Sequence, residues 1–265
     1  MLRIAAFMCI KNDAYYVQMA LQSIIPYVDG VYIQDQMSDD GTYEAILDMK
    51  SDRIRVDRVD TGIAERFADH YDEPYYRSMA VNQCEEIFNP DFILKIDGDE
   101  IFTPYFFEML GLINMGSING VKVSGDRFIS PTHRSVHPTA IEMSPGGIPF
   151  VDPHIQLWRA MKGYNYIANP SFTRFHPILM PVPAPLIWLD GICNVHLHRL
   201  FGPKALAFWS EGTDVIDRTK PLYPPTSCPN FYNSGINMGN AERVDFVWPQ
   251  YILDRWATWE GGIWE

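Results

Sequence analysis

The chain has 265 residues, and its 33 acidic and 21 basic side chains give it a formal net charge of −12 at pH 7. With 47% hydrophobic and 14% aromatic residues it can bury a substantial core, which excludes wholesale disorder. It contains no run of Lys or Arg, which argues against a nucleic-acid partner and against docking on an anionic membrane surface.

The cysteines and the apolar stretches bear on where the protein works. Cys9, Cys84, Cys193 and Cys228 lie far apart without a CxxC pair, so we expect reduced thiols rather than a disulfide framework or a zinc ribbon. The apolar stretch at the start of the chain is too short and too soon charged for a signal peptide, and no stretch suits a membrane helix. We therefore predict a soluble, cytoplasmic protein with no membrane span.

The first half of the chain alternates strand-like and helix-like patterns. Four such alternations imply parallel strands joined by crossover helices, which is an α/β sheet. The predicted elements are a strand from Ile4 to Ile10, a helix around Val17 to Ile25, a strand from Val31 to Ile33, a helix from Gly41 to about Met49 capped by Asp40, a strand at Ile54 to Val56, a helix from Tyr76 to Phe88 and a strand from Phe92 to Ile96.

The second half of the chain is less regular. Thr103-Pro104 is a helix start, and three further strands are predicted at Val121 to Val123, His154 to Arg159 and Ile192 to His198. Residues 220–240 are rich in Pro, Asn and Gly, which is typical of a loop. A terminal helix from Pro249 to Trp259 places Ile252, Trp256 and Trp259 on one stripe, which we interpret as core packing.

Polar side chains follow the predicted parallel strands where each one ends. Asn12 and Asp13 follow the first strand, Asp35 the second and Asp97–Glu100 the fourth. Ligands of open α/β sheets bind at this edge, so we expect these side chains to form one site. Asp97 and Asp99 are two carboxylates one residue apart, and their hard oxygens suit Mg²⁺ or Mn²⁺ bridging to a diphosphate. The alternative is an ordinary solvated turn.

Three segments resemble one known family. The first strand with Lys-Asn-Asp at its end, the stretch Asp35-Gln-Met-Ser-Asp-Asp-Gly-Thr42 and the Asp97-Gly-Asp-Glu100 turn are similar to motifs of the inverting family 2 glycosyltransferases of the GT-A fold. The last has the DxDE form of a bacterial and viral subgroup. Gln36 stands where the family has a second acidic residue. The resemblance covers roughly the first 125 residues.

The resemblance implies a single GT-A-like domain over residues 1–265. Residues 1 to about 125 would hold the nucleotide-sugar and metal, and about 126–265 would form the acceptor side, with loop 220–240 and the terminal helix. The donor would be a nucleotide-sugar, by default a UDP-sugar, with GDP- and dTDP-sugars open because of Gln36. The acceptor would be a glycan or a small molecule, and the cofactor Mn²⁺ or Mg²⁺.

The donor-side roles are implied residue by residue. Asn12 and Asp13 would flank the base and ribose, and Asp35 would accept a hydrogen bond from the base. Arg77 matches a position where the family often has a basic residue near the nucleotide, although a solvated Arg at a helix start fits equally well. Asp97 would contact ribose or the waters of the metal, and Asp99 would coordinate the metal.

The remaining roles fall in the second half. Asp152 precedes a segment similar to the subgroup's D-x-Q-x-R-L-F-R pattern and is the first candidate for the base that deprotonates the acceptor, followed by Glu142, with Asp190 also open. His196 and His198 alternate on a predicted strand, so both point to one face and resemble a histidine that completes the metal shell in GT-A enzymes.

Two other enzyme classes and a non-enzymatic protein are the alternatives. A sugar-nucleotide pyrophosphorylase would need a Gly-rich basic loop after the first strand, and a DxD phosphohydrolase would carry its aspartates after an early strand. Neither pattern is present. The remaining alternative is a GT-A-like protein that binds carbohydrate or nucleotide-sugar without turnover.

Overall fold

The structure is a computed structural model, and it describes residues 2–61, 73–130, 133–135, 141–143, 149–151, 154–168, 177–197, 241–243 and 246–257. Its strands are β1 (Ile4–Ile10), β2 (Gly30–Asp35), β3 (Ile54–Arg58), β4 (Phe92–Lys95), β5 (Glu100–Phe102), β6 (Gly120–Ser130), β7 (His133–Ser135), β8 (Ile141–Met143), β9 (Pro149–Val151), β10 (His154–Arg159), β11 (Tyr166–Ala168), β12 (Pro177–Leu179), β13 (Leu186–His196) and β14 (Ala241–Arg243). Its helices are α1 (Val17–Ile24), α2 (Thr42–Leu47), α3 (Glu73–Phe88), α4 (Pro104–Leu112) and α5 (Gln250–Ala257).

The first four strands form a parallel unit in the order β3-β2-β1-β4. β1 and β2 are covered on both faces, which is why both sequences are almost continuously apolar. One face packs on α1 through residues such as Met8 and Ile33, and the other packs on α3 through Phe7 and Ala80. The predicted α/β architecture is confirmed, and every predicted element of this half is present.

The sheet then continues with strands of the second half. β10 pairs antiparallel with both β4 and β6, and β13 runs parallel to β6 and antiparallel to β5. Because β5 follows directly on the turn after β4, the β5–β13 pairing brings residues near position 195 to that turn. The mixed part of the sheet therefore brings residues of the second half of the chain to the turn after β4.

The structure corrects one local prediction and agrees with two others. Asp40 is not the N-cap of α2: Gly41 holds that position at φ 94°, and Asp40 instead accepts a hydrogen bond from the Thr42 amide at 3.0 Å. Ile252 of α5 is buried against Val195, as the predicted stripe requires, whereas Trp259 lies outside the described residues. Thr103 caps α4 as predicted.

The aromatic and sulfur-containing side chains of the described core behave as structural groups. Trp158 is fully buried with its ring edge-on to Phe7 at 6.0 Å, so it packs the core. Within the described residues, Cys9, Cys84 and Cys193 are not part of a disulfide. No helix in the described part of the chain combines the length and apolarity that crossing a bilayer requires.

Candidate functional site

The turn between β4 and β5 carries the acidic motif. The Glu100 amide donates to the Asp97 carbonyl at 3.1 Å, and the Asp97 amide donates to Oε2 of Glu100 at 3.1 Å. The Asp99 carbonyl accepts from the Leu197 amide at 2.7 Å, which ties the turn to the end of β13. The backbone of all three acidic residues is thus held in place, so their carboxylates are presented in a defined arrangement.

The end of β1 lies directly against this turn. Asp13 is almost fully buried, and a Cβ placed on Gly98 would come within 2.6 Å of its Oδ2 atom. The carboxylate of Asp13 occupies the space beside Gly98, so a residue without a side chain is needed at this position of the turn.

The segments after β1 and β2 are joined by hydrogen bonds. The Asn12 amide donates to Oγ of Ser38 at 2.9 Å, and the Asn12 side-chain oxygen accepts from the Asp39 amide at 3.1 Å. Lys11 donates to the carbonyls of Gln36 and Met37, each at 3.0 Å. Asn12 has φ 57°, a left-handed conformation that asparagine tolerates better than most residues. The predicted donor-binding segments that follow β1 and β2 are therefore joined side by side at the carboxyl edge of the sheet.

Asp35 lies at this edge but is not open to a ligand in this conformation. Its carboxylate is fully buried and accepts from the Ser38 amide at 3.2 Å and from Nε of Arg58 at 3.1 Å. A carboxylate removed from water needs such a counter-ion. The hydrogen bond that Asp35 was predicted to accept from a base is therefore not preformed. Arg58, at the end of β3, was missed by the sequence reasoning.

Two basic side chains face the acidic turn from the α3 side of the sheet. Nζ of Lys95 lies 2.5 Å from Oδ2 of Asp97 and 3.8 Å from Oε2 of Glu100. Arg77 pairs with Glu73 one helical turn away, at 2.9 Å from Nε to Oε1. Burial alone would raise the pKa of Asp97, but Lys95 and then Arg77 outweigh it and lower that pKa to about 2. Asp97 is therefore an ionised carboxylate between two cations.

Lys95 was also missed, although the sequence carries a signal for it. Lys95 is the last residue of the otherwise apolar strand Phe92-Ile-Leu-Lys95, and a lysine that such a strand carries into the interior needs an acidic partner nearby. In the structure its side chain is 16% exposed. Burial would lower its pKa, but Asp97 and Glu100 raise it above its usual value, so Lys95 is an ammonium. Arg77 is likewise not a solvated helix-start residue, because its side chain is mostly buried. Burial would lower the pKa of Arg77, but the charge of Asp97 raises it above its usual value.

Glu100 is the buried member of the acidic motif. It accepts hydrogen bonds from the side-chain amides of Gln156, at 3.3 Å, and Asn194. His196 lies opposite it on β13, with Nε2 3.4 Å from Oε1. Burial raises the pKa of Glu100 to about 7, although the Lys95 ammonium acts in the opposite direction. Its donors and its burial give Glu100 a role in holding the turn rather than in meeting a substrate.

The other predicted residues are only partly placed. Asp190 is exposed on β13 and accepts from the Gly191 amide at 2.8 Å. Glu142 lies on β8, but its side chain is outside the described part of the structure. Asp152 and His198 also lie outside the described residues, as does the predicted loop 220–240.

The turn between β4 and β5 offers carboxylate oxygens to a divalent metal ion. Within the described ranges, no group of three or more His, Cys, Asp or Glu side chains is arranged to hold a metal ion. The structure therefore does not gather Asp97, Asp99 and His196 into a three-ligand set. Asp99 is half-buried at the turn and offers hard oxygens, which fits a Mg²⁺ or Mn²⁺ ion that takes its other ligands from a diphosphate and water.

No protein-family model matches the chain, and no curated protein matches it in sequence. Among solved structures, S. aureus TarS (residues 1–349) is similar over 75% of this chain and 61% of its own, with a TM-score of 0.49 and 11% identity. This chain thus spans about three fifths of that one.

Two further solved structures are similar over a smaller share of the chain. The mannosyltransferase PcManGT from Pyrobaculum calidifontis, in complex with GDP-Man and Mn²⁺, has a TM-score of 0.35 and 16% identity over 48% of this chain and 36% of its own. Glucosyl-3-phosphoglycerate synthase from Mycobacterium tuberculosis, in complex with Mn²⁺ and UDP-glucose, has a TM-score of 0.33 and 20% identity over 48% and 44%. The fold described above rests on the strand order of this chain itself.

Proposed function

We propose that the protein is a GT-A-type glycosyltransferase that moves a sugar, with inversion, from a nucleotide-diphosphate sugar to a hydroxyl acceptor. The observation that carries the proposal is the meeting of Asp13, the Asp97–Glu100 turn, Lys95 and Arg77 at the carboxyl edge of the parallel strands. Carboxylates and buried cations in one place suit a ligand that carries both hydroxyls and a diphosphate.

The donor side of the reaction needs stabilisation of negative charge. Breaking the bond between the sugar C1 atom and the diphosphate leaves charge on the phosphate oxygens, and Lys95 and Arg77, which pair with Asp97 and Glu73 in the absence of a donor, would supply positive charge beside them. Asp99 would hold the Mn²⁺ or Mg²⁺ ion, which supplies Lewis-acid stabilisation of the leaving group when bound. Asn12 and Asp13 would contact base and ribose, and His196 or His198 would contribute to the metal shell.

The acceptor side needs a base that removes a proton from the attacking hydroxyl. Glu100 does not suit this role, because it is fully buried among amide donors. We assign the role to Asp152, with Glu142 second and Asp190 as the exposed alternative. The acceptor is a glycan or a small hydroxyl compound, and the donor is a UDP-sugar by default, with GDP- and dTDP-sugars as the alternatives.

The experiment that tests this function is thermal unfolding with UDP, GDP, dTDP and CDP, each with and without Mn²⁺. A nucleotide at 100 times its dissociation constant stabilises the native state by about 2.7 kcal/mol. We expect one nucleotide to give a shift that needs both Mn²⁺ and Asp99, and its sugar conjugate to be hydrolysed slowly in the same buffer. No shift with any nucleotide would contradict the proposal. A shift without hydrolysis or transfer would identify a binding protein instead.

A further inference from the structure

A cleft lies at the edge of the sheet opposite to the acidic turn. One wall is the end of α3, with Glu85 and Glu86, and the other is the segment after β10, residues 160–165. Because β10 runs antiparallel to β4 and ends beside its start, the cleft is at the amino edge of the parallel strands. Glu85 lies eight residues beyond Arg77 on α3, about 12 Å along the helix axis at ~1.5 Å per residue. The cleft is therefore separate from the proposed donor site.

The two walls of this cleft are joined by hydrogen bonds. Oγ of Ser78 accepts from the Tyr166 amide at 3.1 Å and donates to the Tyr166 carbonyl at 3.2 Å, which fixes β11 on α3. The Asn165 carbonyl accepts from the Met180 amide at 3.1 Å. The cleft has a volume of about 630 Å³, within the range of about 300–1,000 Å³ that is usual for small-molecule sites. It is therefore a preformed space that a small ligand can enter.

Two side chains of the cleft each have an oxygen that lacks a hydrogen-bond partner. Oε1 of Glu85 and Oδ1 of Asn165 are out of contact with water and accept no hydrogen bond from the described part of the chain. A buried polar atom in this state costs about 1–3 kcal/mol. The last torsion of both side chains is broad, so either oxygen can turn to a donor in the cleft. The ligand that suits this site therefore donates hydrogen bonds.

The charges around the cleft restrict that ligand further. Glu85, Glu86 and the carbonyl end of α3 are negative, which disfavours an anion such as a nucleotide. Lys162 disfavours an organic cation, and no group of three His, Cys, Asp or Glu side chains within the described ranges is arranged to hold a metal ion. The lining also includes three side-chain amides, those of Asn82, Asn89 and Asn165. Amides donate and accept, as the hydroxyls of a sugar do.

We propose that this cleft binds an uncharged saccharide. Its hydroxyls donate to Glu85 and Asn165 and accept from Lys162 and the asparagine amides. The site goes beyond the proposed function and does not depend on it, because none of its residues belongs to the proposed donor, metal or base residues.

NMR of the ¹⁵N-labelled full chain tests the proposal, with maltotriose and chitotriose as neutral probes and spermidine as a cationic one. We expect at least one oligosaccharide to shift the signals of the Gly163 backbone amide and the Asn165 side-chain amide. Glu85→Met removes the acceptor at similar length and should weaken this binding by about tenfold or more. Its thermal stability should not fall, because the lost Oε1 atom has no partner. Glu108→Met, at an exposed glutamate of α4, is the matched control and should bind as the wild type does.

Asn165→Ala tests the same binding from the other wall, with the Gly163 amide signal as its readout. It keeps the backbone bond to Met180, so it also decides the question if a thermal melt shows that Glu85→Met does not fold. Three results would overturn the proposal: no shift with either oligosaccharide, wild-type affinity in either cleft variant, or shifts with spermidine alone, which would identify a cation site. The nucleotide-dependent thermal shift should be the same in Glu85→Met as in the wild type, so failure of the proposed function is observed separately.

Discussion

The Asp13 carboxylate fills the space beside the Cα atom of Gly98, so the end of β1 and the turn after β4 are in van der Waals contact. Asp13 is held there because its amide donates to Oγ1 of Thr42 at 2.7 Å and its carbonyl accepts from the amides of Tyr16 and Val17 at the start of α1. Asp13 therefore adds a fourth carboxylate to Asp97, Asp99 and Glu100, and its position depends on the absence of a side chain at Gly98.

Gly98→Ala should displace Asp13, because the new methyl carbon would lie 2.6 Å from its Oδ2 atom and 2.9 Å from Cγ2 of Ile10. We expect a loss of about 1–3 kcal/mol in the free energy of unfolding and at least a tenfold loss of nucleotide affinity. Gly111→Ala is the control: nothing lies within 4 Å of its added Cβ, and alanine favours the helix. Urea unfolding and nucleotide titration of both variants measure these two losses. Wild-type nucleotide affinity in Gly98→Ala would contradict the prediction.

Asp99→Ala should abolish the Mn²⁺-dependent part of nucleotide binding, since the proposed metal ligand is removed. The stability of the variant should stay close to that of the wild type, because the described hydrogen bonds of the turn use backbone atoms of Asp97, Asp99 and Glu100 and the Glu100 carboxylate. Asp48→Ala, at an exposed position after α2, serves as the control. Thermal shifts with and without Mn²⁺ measure the effect, and an undiminished metal requirement in Asp99→Ala would remove Asp99 from the metal site.

Arg58→Met should destabilise the fold by leaving Asp35 buried without its cation. Breaking a fully buried pair costs about 3–5 kcal/mol, but the Arg58 side chain is 37% exposed, so we expect about 2 kcal/mol. Arg55→Met, at an exposed arginine of the same strand, should change stability by less than about 0.5 kcal/mol. Equal urea midpoints for the two variants would show that Asp35 does not depend on Arg58.

Glu100 should make stability fall as the pH rises. Its pKa in the folded protein is raised from 4.5 to about 7, so between these values the folded state binds a proton that the unfolded state has lost. The contribution of Glu100 to the free energy of unfolding is fully present below pH 4.5. It decreases as the pH rises to 7, by on the order of 3 kcal/mol in total. Glu100→Gln should lack this component when urea unfolding is compared at pH 5 and pH 7.5. A parallel pH dependence in both proteins would refute the assignment.

Asp152→Asn tests the assignment of the acceptor base. Donor binding should be retained, because the proposed nucleotide contacts lie in the first half of the chain, while transfer to the acceptor should fall by about 10²-fold or more. The nucleotide thermal shift and the transfer rate are measured on the same preparation. If transfer is unchanged, Glu142→Gln and Asp190→Asn identify the base by the same comparison.

The amino-acid sequence by itself determined the secondary structure of the first half and the placement of polar residues at its strand ends. Ile4–Ile10 and Phe92–Lys95 are buried on both faces, so their apolar runs are unambiguous, and the helices between them imply parallel pairing. Asp13, Asp35, Asp97 and Asp99 were therefore expected at one edge of the sheet. These features are local, because they depend on periodicity and on residues adjacent in the chain.

Only the tertiary structure decided which of those groups touch and which partners they take. Asn194 reaches Glu100 from 94 residues away because β13 pairs with β5, and Arg58 reaches Asp35 because β3 pairs with β2. Lys95 meets Asp97 and Glu100 because the β4–β5 turn folds back over the end of its own strand. Such contacts depend on strand order, register and burial. A buried charge takes whichever opposite charge the fold brings within reach, and no spacing in the sequence specifies that.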